Sequence, residues 1–217
     1  MNINFKNRIY GRTKGRNCNR NKNNELISKI EQYKITALNK SDKNILDIGS
    51  GYGETSLFLS KTYPNSKIIA CDKYIDGHLN LIKKFNNKIN NIFIHNGNVY
   101  DILDNLKKGK YFDSIWIMFP DPWPKNKHKK RRLINDNFLS IVSDFIKDNG
   151  NIFIASDLLN YNAQIISSIY KNRHLFTWEN QFKIYYNYKD YLIPETKYFK
   201  KAVKSGRNPF FITLKKI

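Results

Sequence analysis

The sequence predicts an α/β fold, a mostly parallel open sheet with helices on both faces. Strand-like and helix-like runs alternate from residue 44 onward, and the connections between them are short, as crossover units require. A length of 217 residues suits one such domain with a substantial core.

Residues 1–24 read as a basic, flexible arm ahead of a single domain at 25–217. No acidic residue precedes Glu25, whereas Lys6, Arg8, Arg12, Lys14, Arg16, Arg20 and Lys22 are all basic. The arm has too few apolar residues to fold alone, so it is either a solubilising tail or a polyanion contact. Leu26, Ile27, Ile30, Tyr33 and Ile35 then suggest a helix leading into the domain. Strands are expected at 44–48, 67–71, 91–95, 114–119 and 151–155, with a closing strand at 209–214. Helices are expected at 54–61, 78–85, 133–147 and 160–171. In an open sheet of this kind, ligands lie beyond the carboxyl ends of the strands.

Composition narrows the partners. With 38 Lys and Arg against 18 Asp and Glu, the formal charge is +20. A field of that sign favours nucleic acid, although the Lys-, Asn- and Ile-rich usage throughout could account for part of it. Cys18 and Cys71 suggest neither a disulfide framework nor a metal knuckle, and the four histidines lack ligand spacing, so no metal is expected. No apolar run resembles a signal peptide or a membrane span, which fits a cytoplasmic protein.

The first strand runs into Asp47-Ile48-Gly49-Ser50-Gly51-Tyr52-Gly53. Its G-x-G-x-G spacing differs from the G-x-G-x-x-G that seats a pyrophosphate on a helix N-terminus, which disfavours a dinucleotide. The in-strand acid Asp47 suits a ligand carrying ammonium and sulfonium charges, such as S-adenosylmethionine. Asp72 ends the second strand, where its carboxylate can accept from two ribose hydroxyls or serve a turn. Together, the glycine loop and the two acids resemble a Rossmann-like class I methyltransferase. That resemblance implies S-adenosylmethionine as cofactor, S-adenosylhomocysteine as product, and Asn98 at the adenine. From sequence, Asn98 could equally be a turn residue.

The fourth strand delivers Phe119-Pro120-Asp121-Pro122-Trp123-Pro124-Lys125, and six of the eight residues from Lys125 to Arg132 are cations. Each proline fixes its own φ and pushes the preceding residue toward an extended conformation, so Asp121 is held in place. This loop and the His128-Lys129-Lys130-Arg131-Arg132 run resemble the signature of bacterial tRNA (guanine-N7)-methyltransferases, which modify a variable-loop guanine. The resemblance implies cofactor contacts at Asp47, Gly49, Gly51, Asp72, Asn98 and Asp121, with Asp121 also catalytic. It implies substrate contacts at Lys125, Asp157, Thr196, Lys197, Tyr198 and Phe199. Phe199 stands where the family's T-x-[FY]-E pattern has Glu, and Asn98 where Asp is common; Gly206 follows as that pattern expects.

Guanine N7 carries an in-plane lone pair, so attack on a sulfonium methyl needs no general base. Asp121 and Asp157 would accept from the ring N–H and exocyclic amine as the purine gains positive charge. Trp123 either stacks on the base or packs under the loop. The cation run either holds tRNA phosphates or is a solvated face, and Arg131 or Arg132 could start the next helix with its head in water. The expected partner is tRNA, with no obligate protein partner, the protein being a monomer or homodimer. Two rivals remain. One is an exocyclic-amine methyltransferase of adenine or cytosine, whose loops place the second proline before the aromatic. The other is an RNA-binding module on a decayed methyltransferase fold, which would have lost cofactor residues that this chain keeps.

Overall fold

A computed structural model describes Thr13 and residues 28–85, 89–180 and 193–217. The arm at 1–24 therefore lies outside the described residues except for Thr13, as do Cys18 and residues 25–27 of the expected first helix. The chain forms two compact units, residues 1–107 and 108–217.

The first unit carries β1 (Asn44–Ile48), α1 (Glu54–Thr62), β2 (Lys67–Asp72), α2 (Ile75–Phe85), β3 (Ile92–Asn96) and α3 (Val99–Asn105). The strands run parallel in the order β3-β2-β1. All of β1 and the middle of β2 are buried, as parallel strands covered on both faces must be, and their Ile-, Leu- and Ala-rich composition suits that. Registers of Ile48 with Cys71 and of Cys71 with His95 bring the three carboxyl ends level. Ile30, Leu79 and Ile94 form a small core that joins the helical residues 28–31, α2 and β3. Helix α3 is not among the expected elements. It has only seven residues, too few for a periodic signal, and it rests on a capping box: Asn98 Oδ1 accepts from Tyr100 N while the Asp101 carboxylate accepts from Asn98 N.

The second unit carries β4 (Phe112–Met118), a 3-10 helix (Asn126–Arg131), α4 (Asp136–Ser143), β5 (Ile146–Ser156), α5 (Leu159–Lys171), β6 (Phe176–Trp178), α6 (Lys197–Lys204) and β7 (Phe210–Lys216). Its strand order is β4-β5-β7-β6, with β4 and β5 parallel and β7 antiparallel to both its neighbours. The helix expected at 133–147 is shorter, and its C-terminal part belongs to β5 instead. Asn135 caps the helix by accepting from Phe138 N at 3.0 Å, and Ile146 pairs with Phe112. The register then shifts, so that Ser114 pairs with Asn151, and Asn149 adopts φ 61° within the irregularity. Periodicity alone cannot separate a buried helix end from a buried strand start, which is why Ile146 reads as helix in the sequence and pairs as strand in the fold. Strand β6 and helix α6 also lie outside the expected elements, being short and set among charged residues.

Candidate functional site

In the first unit, β1 ends in a loop fixed from below by the neighbouring strand. The amides of Gly49 and Ser50 donate to the Cys71 carbonyl at 2.8 and 3.2 Å. Gly49 adopts φ +75°, and a Cβ there would meet nothing within 4 Å, so the space beside the backbone is open to a ligand. Gly77 supports the loop from the other side. A Cβ on it would stand 2.0 Å from the Gly51 carbonyl oxygen, so α2 can press against the loop only with glycine at that position.

The two acids have different surroundings. Asp72 is engaged by the main chain: Oδ2 accepts from Gly51 N at 2.8 Å and Oδ1 from Tyr74 N at 2.9 Å. A carboxylate offers about four acceptor positions, so one on each oxygen remains for the ribose hydroxyls expected of it. Asp47 is fully buried, and Ser56 Oγ donates to its Oδ2 at 2.6 Å. Burial is the chief cause that pushes its pKa up to about 7; the Asp72 charge adds to this and the Ser56 hydrogen bond opposes it. A cation beside Asp47 would reverse that shift.

Two further polar side chains at this site keep hydrogen-bonding capacity among the described residues. Ser50 Oγ is buried without a hydrogen bond. Asn98 commits Oδ1 to its helix cap, which leaves its amide N–H groups available. The cap means that the turn alternative for Asn98 is realised without excluding a ligand contact. Open space at Gly49, an orphaned hydroxyl and a buried carboxylate fit a cationic, hydroxyl-bearing ligand such as S-adenosylmethionine. Burial lowers the pKa of His78 and of His95, and their Nε2 atoms hold the Asp72 and Asn98 carbonyls at 2.9 and 3.1 Å. Among the described residues, no three His, Cys, Asp or Glu side chains group as metal ligands.

In the second unit, Asp121 is exposed on the loop that follows β4. Two non-glycine residues flank it in the left-handed region, Phe119 at φ 55° and Trp123 at φ 41°. Such backbone is costly and clusters at functional sites. Trp123 is occupied by its own chain: the Arg131 guanidinium lies 5.0 Å from its ring centroid, and His128 packs edge-on at 5.6 Å. Lys125, Lys127, Lys129 and Lys130 are exposed around the 3-10 helix. Arg132 corrects the reading of the cation run as uniform, because it is neither at a phosphate surface nor headed into water but 2% exposed.

The remaining expected substrate residues divide in the same way. Asp157 accepts from Arg207 Nε at 2.7 Å through Oδ2. Thr196 is the N-cap of α6, with Oγ1 accepting from Phe199 N at 3.1 Å, while Lys197 and Tyr198 are exposed. Phe199 is buried against Phe119 and Phe211, at centroid distances of 6.5 and 6.3 Å. Its side chain therefore supports the loop from the core. Sequence reasoning misses Ser50, Ser56, Arg207 and the inward turn of Arg132. The places of Ser50 and Ser56 in and just after the glycine loop are a signal that could have found them, but nothing in a run of cations marks which one turns inward.

Residues 41–212 match the family described as "Putative methyltransferase". The bifunctional methyltransferase of Rickettsia conorii is 35% identical over 97% of this chain and 40% of its own length. The tRNA (guanine-N(7)-)-methyltransferase of Wolbachia pipientis wMel is 31% identical over 84% of this chain and 82% of its own. Among solved structures, an rRNA methylase from Streptococcus thermophilus superposes with a TM-score of 0.53 at 14% identity, covering 88% of this chain and 93% of that one. That likeness concerns fold alone, and it bears out the expected class I methyltransferase architecture. The chain spans about 40% of the length of the bifunctional rickettsial relatives it matches. A match across residues 41–212, with relatives above 30% identity along most of the sequence, shows that the chain belongs to the methyltransferase family that includes the bacterial tRNA (guanine-N(7)-)-methyltransferases.

Proposed function

We propose that this protein is an S-adenosylmethionine-dependent methyltransferase acting on guanine N7 in the variable loop of tRNA. The observation that carries the reading is the exposed carboxylate of Asp121, held between prolines and flanked by two left-handed residues, with exposed lysines following directly. Membership of a family with tRNA (guanine-N(7)-)-methyltransferase relatives supports the choice of acceptor. Among the described residues no helix is long and apolar enough to cross a membrane, and the charge of +20 suits a polyanionic substrate.

When bound, S-adenosylmethionine supplies a methyl group on a sulfonium. Asp47 would balance its cationic charge, Asp72 would accept from the ribose, the Asn98 amide would meet the adenine, and the backbone at Gly49 and Gly51 would leave room for the ligand. Asp121 serves the cofactor end of the reaction and receives the guanine. The cofactor would supply its sulfonium methyl to the N7 lone pair, with S-adenosylhomocysteine as the leaving group and a positively charged purine as product. No proton is removed beforehand, so no residue acts as a general base. Asp121 and Asp157 accept from the guanine N–H groups, which become stronger donors as charge develops. Lys125 and Lys197 meet phosphates, and Tyr198 presents its exposed ring to the RNA.

The test incubates the protein with labelled S-adenosylmethionine and unmodified tRNA, then cleaves the RNA with borohydride and aniline. Cleavage in the variable loop is expected. Label confined to adenine or cytosine would instead indicate an exocyclic-amine enzyme.

A further inference from the structure

We propose that Arg132 is the positioning residue for Asp121, acting through the carbonyl of Pro122; the inference rests on the role just proposed for Asp121. Arg132 Nε donates to Pro122 O at 2.8 Å. Nη1 donates to Asn160 O at 3.1 Å and to Gln164 Oε1 at 3.0 Å, and Nη2 to Asn160 Oδ1 at 2.9 Å. The guanidinium lies over the Tyr161 ring, 4.8 Å from its centroid, and Tyr161 is itself fixed by accepting from Ile134 N at 3.0 Å. One planar fork therefore ties the loop carrying Asp121 to helix α5.

The loop needs such an external hold. Pro120, Pro122 and Pro124 have no N–H, so half of residues 119–124 cannot donate to any backbone ladder. Phe119 and Trp123 hold left-handed backbone, which is strained for residues other than glycine, so an untethered loop would relax. Phe119 N donates to Ala155 O at 2.8 Å and ties the start of the loop to β5, and Arg132 grips the carbonyl directly after Asp121. Its acceptors are all neutral, and no carboxylate pairs with it among the described residues. A buried charge without a counter-ion is a costly way to fill space, and an apolar side chain would serve packing better. Geometry explains the guanidinium instead, since only a rigid fork reaches the loop and α5 at once. Lysine, with a single nitrogen, cannot do so. Burial is the chief cause of the raised Tyr161 pKa; the Arg132 charge opposes it and the Asp121 charge adds to it, which sets all three in one electrostatic neighbourhood.

The experiment is a cycle of Arg132→Lys, Asp121→Asn and the double variant, read by single-turnover methyl transfer to tRNA with enzyme in excess. Arg132→Lys is expected to lower the rate constant about 100-fold, the scale of a small misplacement of a reacting group. In the Asp121→Asn background it should cost almost nothing further. Additive losses, or an unchanged rate constant at saturating enzyme, would overturn the proposal, since a smaller folded fraction alone leaves that rate constant unchanged. Asn160→Ala, an exposed substitution that removes one acceptor, should reproduce the effect in weaker form if Arg132→Lys folds poorly. Hydrogen exchange supplies a readout independent of activity: Arg132→Lys should selectively deprotect the amides of Phe119 and His128, which donate to Ala155 O and Lys125 O at 2.8 Å each, and unchanged exchange there would also overturn it. If the wild-type protein forms no 7-methylguanosine, the functional reading fails first, and the exchange result still decides whether Arg132 holds the loop.

Discussion

Ser56 Oγ reaches from the first turn of α1 to donate to Asp47 Oδ2 at 2.6 Å, meeting a carboxylate that is entirely enclosed by the fold. The bond lowers the pKa of Asp47 but does not offset burial, which leaves it raised from 3.8 to about 7. The folded state therefore binds this proton more tightly than the unfolded chain does. Stability from the protonated form is complete below about pH 4 and is lost as pH rises toward 7, at a cost of about 4 kcal/mol. Asp47→Asn should remove that dependence and make the protein more stable than wild type at pH 8, as read by urea unfolding at pH 5 and pH 8. The same variant should bind S-adenosylmethionine at least about 10-fold more weakly in calorimetry. Wild-type affinity should rise with pH up to about 7 and then level off, because a cationic ligand selects the ionised carboxylate.

Asp121→Asn keeps size and shape but removes the charge from an exposed side chain, so folding should be unaffected. If the carboxylate stabilises the developing charge on the purine, turnover should fall by about 100-fold or more while cofactor affinity changes little. Equal losses in turnover and in cofactor binding would make Asp121 a cofactor residue only.

Phe199 belongs to the aromatic cluster with Phe119 and Phe211, so its truncation should act on stability before recognition. Phe199→Ala should cost about 3 kcal/mol or more in urea unfolding. Phe199→Glu, which restores the residue type of the family pattern, should be at least as destabilising, because a carboxylate would have no partner within that cluster. Unchanged stability for Phe199→Glu would mean that the side chain can swing out to meet substrate.

The exposed lysines and the buried arginine should respond differently. Replacing Lys125, Lys127, Lys129 and Lys130 with Ser should weaken tRNA binding and reduce the slope of log affinity against log salt by about 0.7 for each phosphate no longer neutralised. Arg132→Lys should leave that slope unchanged, since its head group meets no solvent. An unaltered slope for the lysine variant would identify the run as a solvated face.

Much of the scaffold is legible because parallel strands buried on both faces are nearly continuous apolar runs. β1 matches the expected residues 44–48, and β2, β3 and β4 begin or end within two residues of expectation. The failures lie where that signal weakens: α3, α6 and β6 are short, and the apolar pair Phe145-Ile146 between Asp144 and Lys147 is too brief to tell helix from strand. At the site, the glycine loop, Asp47, Asp72 and the proline-flanked Asp121 are visible because glycine, proline and in-strand acids restrict backbone and solvation locally.

The sequence by itself determined the order of elements, the class of fold and the residue types at the carboxyl ends of the strands, all of which follow from local periodicity and local conformational limits. Only tertiary structure decided which polar groups are already engaged. It committed one bond from each Asp72 oxygen to the main chain, covered Trp123 with Arg131, capped α6 with Thr196 and drew Phe199 into the core. It also turned Arg132 inward while the lysines before it stayed in water. Solvent exposure and hydrogen-bond partners are set by segments distant in the chain, so a cluster of six cations could not reveal that one of them holds the loop from beneath.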